Sequence, residues 1–359
     1  MIRKSSPSGS SFVRRIAWRA LAFTLVIVVV AGGVVAYLAK QLYDGAETSY
    51  RGYEEDAVIV DIRPGMSTTA IGRHLVAAGV VRNENTFRMA VWRSGRDRGL
   101  QAGEYRFAEA TSALAVIDTL TQGQVYLRPI TFPEGLTRRQ MAEFFGASDF
   151  GSAEAFLAAS ERVELIAMLD SEAQNLEGYL FPETYSLPRG ATADDLVDAM
   201  VTQFKITFDE DLRQRAIELE LSVREVVTLA SLIQRETGLD EERPIVSAVY
   251  TNRLRRRMPL QCDPTVIYAL ERAGLYDGNL TRENLRFDSP YNTYIYAGLP
   301  PGPIAAPGAA DLRAALNPAD VAHLYFVSRN DGSHVFADSL REHNRNVREY
   351  QVEYFRRRR

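Results

Sequence analysis

The sequence predicts an α+β protein: an N-terminal helix long enough to cross a membrane, a small β-α module, and a larger mixed α/β domain broken by irregular Pro/Gly-rich loops. Three observations carry this. Twenty consecutive residues near the start are uncharged, a strand-turn-helix pattern occurs twice, and beyond about residue 174 helical periodicity alternates with segments rich in Tyr, Pro and Gly. At 359 residues, 46% of them hydrophobic, the chain has room for about two domains with cores of their own, which excludes a disordered polymer. Its one cysteine, Cys262, excludes an intramolecular disulfide.

The uncharged run is Ala20 to Ala39, and about 20 helical residues at 1.5 Å each span the ~30 Å hydrocarbon layer. Before it lie Arg3, Lys4, Arg14, Arg15 and Arg19 and no acid; after it come Lys40, Asp44 and Glu47. The positive-inside bias then holds the N-terminus in the cytoplasm and the rest of the chain outside it. Trp18 and Tyr37 suit the two interfaces. A cleaved signal peptide is the alternative, but the apolar run exceeds the usual ~7–15 residues and lacks a clean A-x-A site. Beyond residue 19 the chain carries 37 basic and 46 acidic residues, a balance that argues against a nucleic-acid binder.

Past an acidic linker, the alternation in Val58-Ile59-Val60-Asp61-Ile62 predicts a strand ended by Pro64-Gly65. A helix follows, with Ser67 as N-cap and Ile71 and Leu75 on one face. Seventy residues later Gly135-Leu136-Thr137, Met141-Ala142 and Phe145 repeat the pattern of Gly65-Met66-Ser67, Ile71-Gly72 and Leu75, with Thr137 and Gln140 as a capping box. This spacing resembles the LysM modules, which bind N-acetylglucosamine chains; strand, tight turn and capped helix are also a common unit in unrelated folds. Further on, seven of the eleven residues from Gly298 to Gly308 are Gly or Pro, which predicts a fixed irregular loop of the kind that lines sites.

The helix expected over Val223 to Thr237 opens on the capping box Ser222-x-x-Glu225, with Gly238 placed to end it. Val226, Leu229, Ala230, Leu232 and Ile233 form its apolar stripe; Arg224, Thr228, Ser231 and Arg235 take the other side. Glu236 falls within the stripe. Desolvation and the negative end of the helix dipole both disfavour its charged form, as a proton donor near neutral pH requires. A helix-end glutamate paired with an arginine such as Arg253 is the competing explanation.

Longer motifs surround this helix. They include Asn175-Leu176-Glu177-Gly178-Tyr179-Leu180-Phe181-Pro182-Glu183-Thr184-Tyr185, Leu229 to Thr237, Asn252-Arg253, Met258 to Val266, Ser289-Pro290-Tyr291-Asn292-Thr293-Tyr294, Gly298 to Ile304, and Asn317-Pro318. In order and spacing they resemble the YceG-like family, the endolytic murein lytic transglycosylases. The resemblance implies a catalytic glutamate at the end of the Ala-Ser-Leu-Ile-Gln-Arg-Glu-Thr helix, here Glu236. It further implies a lyase that cuts the bond from N-acetylmuramic acid to N-acetylglucosamine within nascent peptidoglycan and leaves 1,6-anhydro ends. Relatives often carry Glu at the position of Gln234, so this chain lacks the rival acid; Cys262 stands where a small polar residue is usual and is expected to pack. The implied setting is the inner membrane beside peptidoglycan synthases, the penicillin-binding proteins.

Tyr179, Tyr291 and Tyr294 are candidate sugar-binding rings, Gln261 and Asn292 candidate partners of acetamido or hydroxyl groups, and Glu183 a candidate orienting group. Asp263, also a candidate substrate contact, precedes Pro264 and suits an N-cap. His74, His323, His334 and His343 show no ligand spacing, so no metal or cofactor is expected. The expected division is a tail over 1–19, the span over 20–39, a linker over 40–55, a LysM-like module over 56–132 and a catalytic domain over 133–359. A non-catalytic glycan-binding scaffold and a two-carboxylate hydrolase are the alternatives.

Overall fold

The computed structural model describes residues 10–357. Arg3 and Lys4 of the cationic end, and Arg358 and Arg359 of the terminal arginine run, lie outside the described residues, as do the side chains of Arg14 and Arg15. The chain forms two compact units, Met1–Leu127 and Arg128–Arg359, in a mixed α+β arrangement with three two-stranded sheets among the described residues.

The first unit opens with helix α1 (Ser10–Gly45), whose stretch Leu21–Gly45 is long and apolar enough to cross a membrane. Its side chains from Leu21 to Lys40 are exposed, which for Leu, Ile, Val and Phe is costly in water and favourable in hydrocarbon. The unit continues with β1 (Val58–Ile62), α2 (Thr68–Ala77), α3 (Glu84–Ser94), β2 (Gly103–Phe107) and α4 (Ala113–Thr121). β1 and β2 pair antiparallel, Val58 opposite Phe107 and Ile62 opposite Gly103. Ser67 caps α2 by accepting from the Ala70 N–H, and Ile71 and Leu75 are buried, the strand and helix expected at these positions. Leu75 packs in one core with Val60, Ile62, Phe87, Tyr105, Ile117 and Leu120.

The second unit contains β3 (Leu127–Thr131), α5 (Arg138–Gly146), α6 (Ala153–Ala159), β4 (Thr184–Pro188), α7 (Ala193–Thr207), α8 (Glu210–Glu218), α9 (Val223–Glu236), α10 (Arg243–Arg255), α11 (Asp263–Ala273), α12 (Ala309–Leu316), β5 (Tyr325–Ser328), β6 (His334–Ala337) and α13 (Leu340–Val347). β3 pairs with β4, and β5 with β6 as an antiparallel hairpin. The second copy of the turn repeats the first in detail: Gly65 and Gly135 both sit at φ +81°, and Thr137 and Gln140 form the expected capping box.

α9 is the centre of this unit. Its Ser222–Glu225 capping box is formed, and every residue from Val226 to Ile233 is buried. Thr228 and Ser231, expected on the solvent side, are buried because α12 covers that face and Ser231 Oγ accepts from the Ile304 N–H at 3.1 Å. Gly238 does not end the helix through a left-handed residue. Thr237 turns extended instead, at φ −138°, and its hydroxyl donates to Glu242 at 3.0 Å. Residues 298–308 hold neither helix nor strand, and 302–308 are buried; Ala306 exchanges backbone hydrogen bonds with Gly135 and Leu136. Gly178, at φ +81°, lies where a Cβ would stand 2.4 Å from Pro303, so Gly178→Ala combines a backbone penalty with a clash.

A buried ion pair joins α10 to α12: Arg243 Nε donates to Asp311 Oδ1 at 2.8 Å, and Asp311 is fully buried. Burial outweighs the guanidinium and raises the Asp311 pKa to about 6. Arg243→Ala is therefore expected to cost about 3 kcal/mol at pH 8, where it strands a buried carboxylate. The loss is expected to shrink at pH 5, where Asp311 is protonated; urea unfolding followed by circular dichroism at the two pH values reads both. In the same assay Gly178→Ala is expected to destabilise by about 2 kcal/mol at either pH.

Candidate active site

Glu236 is the last residue of α9, and its carboxyl group opens into a cavity of about 470 Å³. The hairpin supplies one wall through Phe326, Val327, Ser328 and His334; Arg253 and Leu260 lie at the base; Gln261, Asp263 and Tyr294 face them. Asn330, His343 and Gln351 complete the rim.

Four groups set the chemistry of Glu236. The Tyr250 hydroxyl on α10 donates to Glu236 Oε1 at 2.7 Å, and the Cys262 thiol lies beside the carboxyl group. Burial raises the Glu236 pKa; Tyr250 and Cys262 oppose this, the Asp263 charge adds to it, and His334 opposes it. The net shift is upward, the direction a proton-donating carboxyl group needs. Burial also pushes the Cys262 thiol well above its ordinary value, which keeps it neutral and no nucleophile, a buried member of the core as the sequence led one to expect.

His334 is held in place from behind. Its Nδ1 pairs with Glu242 Oε2 at 2.7 Å and its backbone N–H donates to Glu242 Oε1 at 2.7 Å, leaving Nε2 as the ring's other polar atom. Burial disfavours the Glu242 charge, but the hydrogen bonds from His334 and Thr237 outweigh it and hold the carboxyl below its ordinary value. Glu242 thereby joins the end of α9 to the hairpin.

The site residues expected from sequence fall into separate places. Gln261, at φ +50°, and Tyr294 share the Glu236 cavity with Asp263, whose Oδ1 accepts from the Tyr294 hydroxyl at 2.5 Å. Asp263 is the first helical residue of α11 and Cys262 its N-cap, so Asp263 does not cap; its carboxylate is taken by Tyr294 instead. Asn292 is fully buried. Its Nδ2 donates to Leu285 and Phe287 carbonyls and its Oδ1 accepts from the Tyr294 N–H, so the amide fixes the loop and has no atom left for a sugar. Tyr179 is buried with its hydroxyl on Asp170 at 2.6 Å, and with Tyr291 it lines a different cavity. Glu183 is exposed beside β4, outside both cavities, and accepts from the Thr184 N–H.

Arg253 does not pair with Glu236: its guanidinium donates to the carbonyls of Leu324 at 2.6 Å, Leu260 at 2.9 Å and Pro259 at 3.1 Å. Tyr250 and His334 are functional candidates that the sequence reading did not reach. A tyrosine directly after the largely apolar run Val246 to Val249 and a histidine alternating with Phe336 were the available signals, and each looks like core until its partner is known.

Tyr250→Phe removes a donor that favours the ionised carboxyl group. The Glu236 titration is expected to move to higher pH in that variant, read by carbon NMR of labelled glutamate carboxyls.

The sequence model of the YceG-like family matches residues 60–349. A Bacillus subtilis protein named endolytic murein transglycosylase is 33% identical over 337 residues, covering 89% of this chain and 91% of the relative. A Streptococcus pneumoniae protein of the same name is 32% identical over 327 residues, and the match spans 82% of this chain and 58% of that longer protein. A crystal structure of a Listeria monocytogenes protein described as yceG-like superposes with a TM-score of 0.56 at 29% identity, covering 81% of this chain and 99% of that one.

Proposed function

Because the chain belongs to the YceG-like family, we propose that it is a membrane-anchored peptidoglycan lytic transglycosylase that cuts within nascent glycan strands, with Glu236 as its acid and base. One observation carries the reading: a glutamate whose pKa is raised by burial ends a buried helix inside a polar cavity and receives a hydrogen bond from Tyr250.

The chemistry needs one carboxyl group. Protonated Glu236 gives its proton to the glycosidic oxygen leaving C1 of N-acetylmuramic acid, and that C–O bond breaks. The resulting carboxylate takes the proton from the C6 hydroxyl of the same sugar as its oxygen bonds to C1. The products are a 1,6-anhydro end and a free N-acetylglucosamine hydroxyl, Glu236 is again protonated, and no water is consumed. An internal nucleophile already has a high effective concentration, so the protein has mainly to hold the ring and move the proton. The hydrogen bond from Tyr250 stabilises the carboxylate stage. Gln261 and Tyr294 offer polar contacts and an aromatic face to the sugars, and His334, oriented by Glu242, offers Nε2.

The anchor is α1, with its N-terminus in the cytoplasm and the catalytic unit facing the wall. Residues 56–132 are read as a LysM-like glycan-binding module; the β1, α2, α3, β2 order with antiparallel strands supports this. An anchored site works beside the membrane, where peptidoglycan synthases are its natural partners. A second reading, a hydrolase with two carboxylates, is favoured by Asp263 lining the same cavity.

Product analysis tests both. Wild-type protein acting on purified uncross-linked glycan is expected to leave 1,6-anhydro ends by mass spectrometry, and Glu236→Gln is expected to lower the rate at least ~10³-fold while folding normally. Reducing ends carrying an added water would establish the hydrolase, and an active Glu236→Gln would remove Glu236 from the mechanism.

A further inference from the structure

Two further cavities lie away from Glu236, the first of them beside Arg224 near the start of α9. The first, of about 560 Å³, is walled by Tyr291, Pro290, Pro301 and Pro303; the second, of about 580 Å³, lies beside it. Both are lined by Asn175, Glu177 and Arg272, so they adjoin at these side chains and are treated together as one groove. Its first cavity is stiffened by Arg224, which grips Asp170 through two hydrogen bonds of 2.7 and 2.9 Å while Tyr179 donates to the same carboxylate. None of these groups serves the Glu236 chemistry.

Arg272 is the exception in this network. Its guanidinium lies over the rings of Tyr291 at 5.1 Å and Tyr268 at 5.7 Å; among the described residues no carboxylate is within ion-pair distance of it, and the buried Glu177 acts on it only as a nearby charge. The acids near it are otherwise engaged. Glu177 is buried and accepts from the Arg138 N–H and the Tyr268 hydroxyl, with burial raising its pKa to about 7, and Asp288 accepts from the Tyr296 hydroxyl. The Asn175 side chain spends its oxygen on the Glu177 N–H, which leaves its NH₂ for a ligand carbonyl. A fork-shaped cation held against aromatic rings, with a nearby amide donor, has the chemistry to receive a carboxylate.

We propose that this groove is a second binding site, which takes the carboxylate-bearing peptide attached to the glycan strand, with the Arg272 guanidinium as its anchor. The proposal rests on the glycan-cleaving reading above and assigns it a substrate feature: the enzyme recognises strands that still carry their peptides. The dimensions agree. Arg224, in the groove, and Glu236 are twelve residues apart on α9, about 18 Å at 1.5 Å per residue. An extended peptide of about five residues at 3.3–3.6 Å each covers that distance. A stripped strand keeps only the lactyl carboxylate fixed close to each muramic ring and has no peptide to lay along the groove.

The test uses the full-length protein on uncross-linked strands with their peptides and on the same strands stripped of peptide by an amidase. Arg272→Gln is expected to raise KM about tenfold on peptide-bearing strands, with kcat unchanged and stripped-strand turnover untouched; Arg272→Lys is expected to recover part of the loss. Asn175→Ala, made in parallel, is expected to shift KM in the same substrate-selective way, so the outcome does not hang on one variant folding. Equal effects on both substrates, or none on either, overturn the proposal and leave the catalytic reading standing. If wild-type protein makes no 1,6-anhydro ends from either substrate, the catalytic reading fails. Affinity of Glu236→Gln protein for the two kinds of strand, with and without Arg272→Gln, then still decides the groove.

Discussion

α9 is buried from Val226 to Ile233, and its last turn lines the Glu236 cavity. The groups packed around that end make the site. Thr237 turns the chain and donates to Glu242; Glu242 holds His334 on the hairpin; Tyr250 donates to Glu236, and Cys262 packs beside it. The same burial that demands these partners raises the Glu236 pKa. Structural necessity and acid strength therefore come from one cause.

The flank of α9 is managed with equal economy. The Gln234 amide, oriented by its hydrogen-bond network, donates to Asp311 and, at 3.2 Å, to Glu134. A carboxylate at this position would add a third negative charge beside a fully buried aspartate, whereas the amide supplies donors to both. One residue further on, Arg235 donates to the Gly135 carbonyl at 3.1 Å, and Ser231 meets the Ile304 N–H. These contacts fasten the Gly- and Pro-rich segment and the second repeat turn to the helix. The segment is consequently part of the scaffold, and its Pro301 to Pro303 stretch faces the Arg272 groove, away from Glu236.

Local patterns were legible where the physics is local. Capping boxes at Ser222 and Thr137, the strand at Val58 to Ile62, and the left-handed glycines of the two turns follow from hydrogen bonds and steric limits within a few residues. The sides of α9 were less legible. Thr228 and Ser231 read as solvent-facing because a helical wheel knows nothing of α12, which lies about eighty residues later in the chain. Asn292 read as a sugar ligand because an amide in a loop is free until its partners are known; three backbone groups of its own loop consume it.

The sequence by itself determined the apolar N-terminal helix, the mixed α+β composition, the family, and the placement of Glu236 on the inward face of its helix, because hydrophobic periodicity and motif spacing are properties of contiguous residues. Only the tertiary structure decided which groups surround that carboxyl group. Tyr250, the adjacent Cys262 and Asp263, and His334 come from three points more than eighty residues from first to last, and hydrogen bonds of 2.7 Å are fixed by how helices and hairpin pack. It also separated Tyr179 and Tyr291 from Glu236 and gave them to a groove of their own, since residues of one loop, such as Tyr291 and Tyr294, can face opposite ends of a helix.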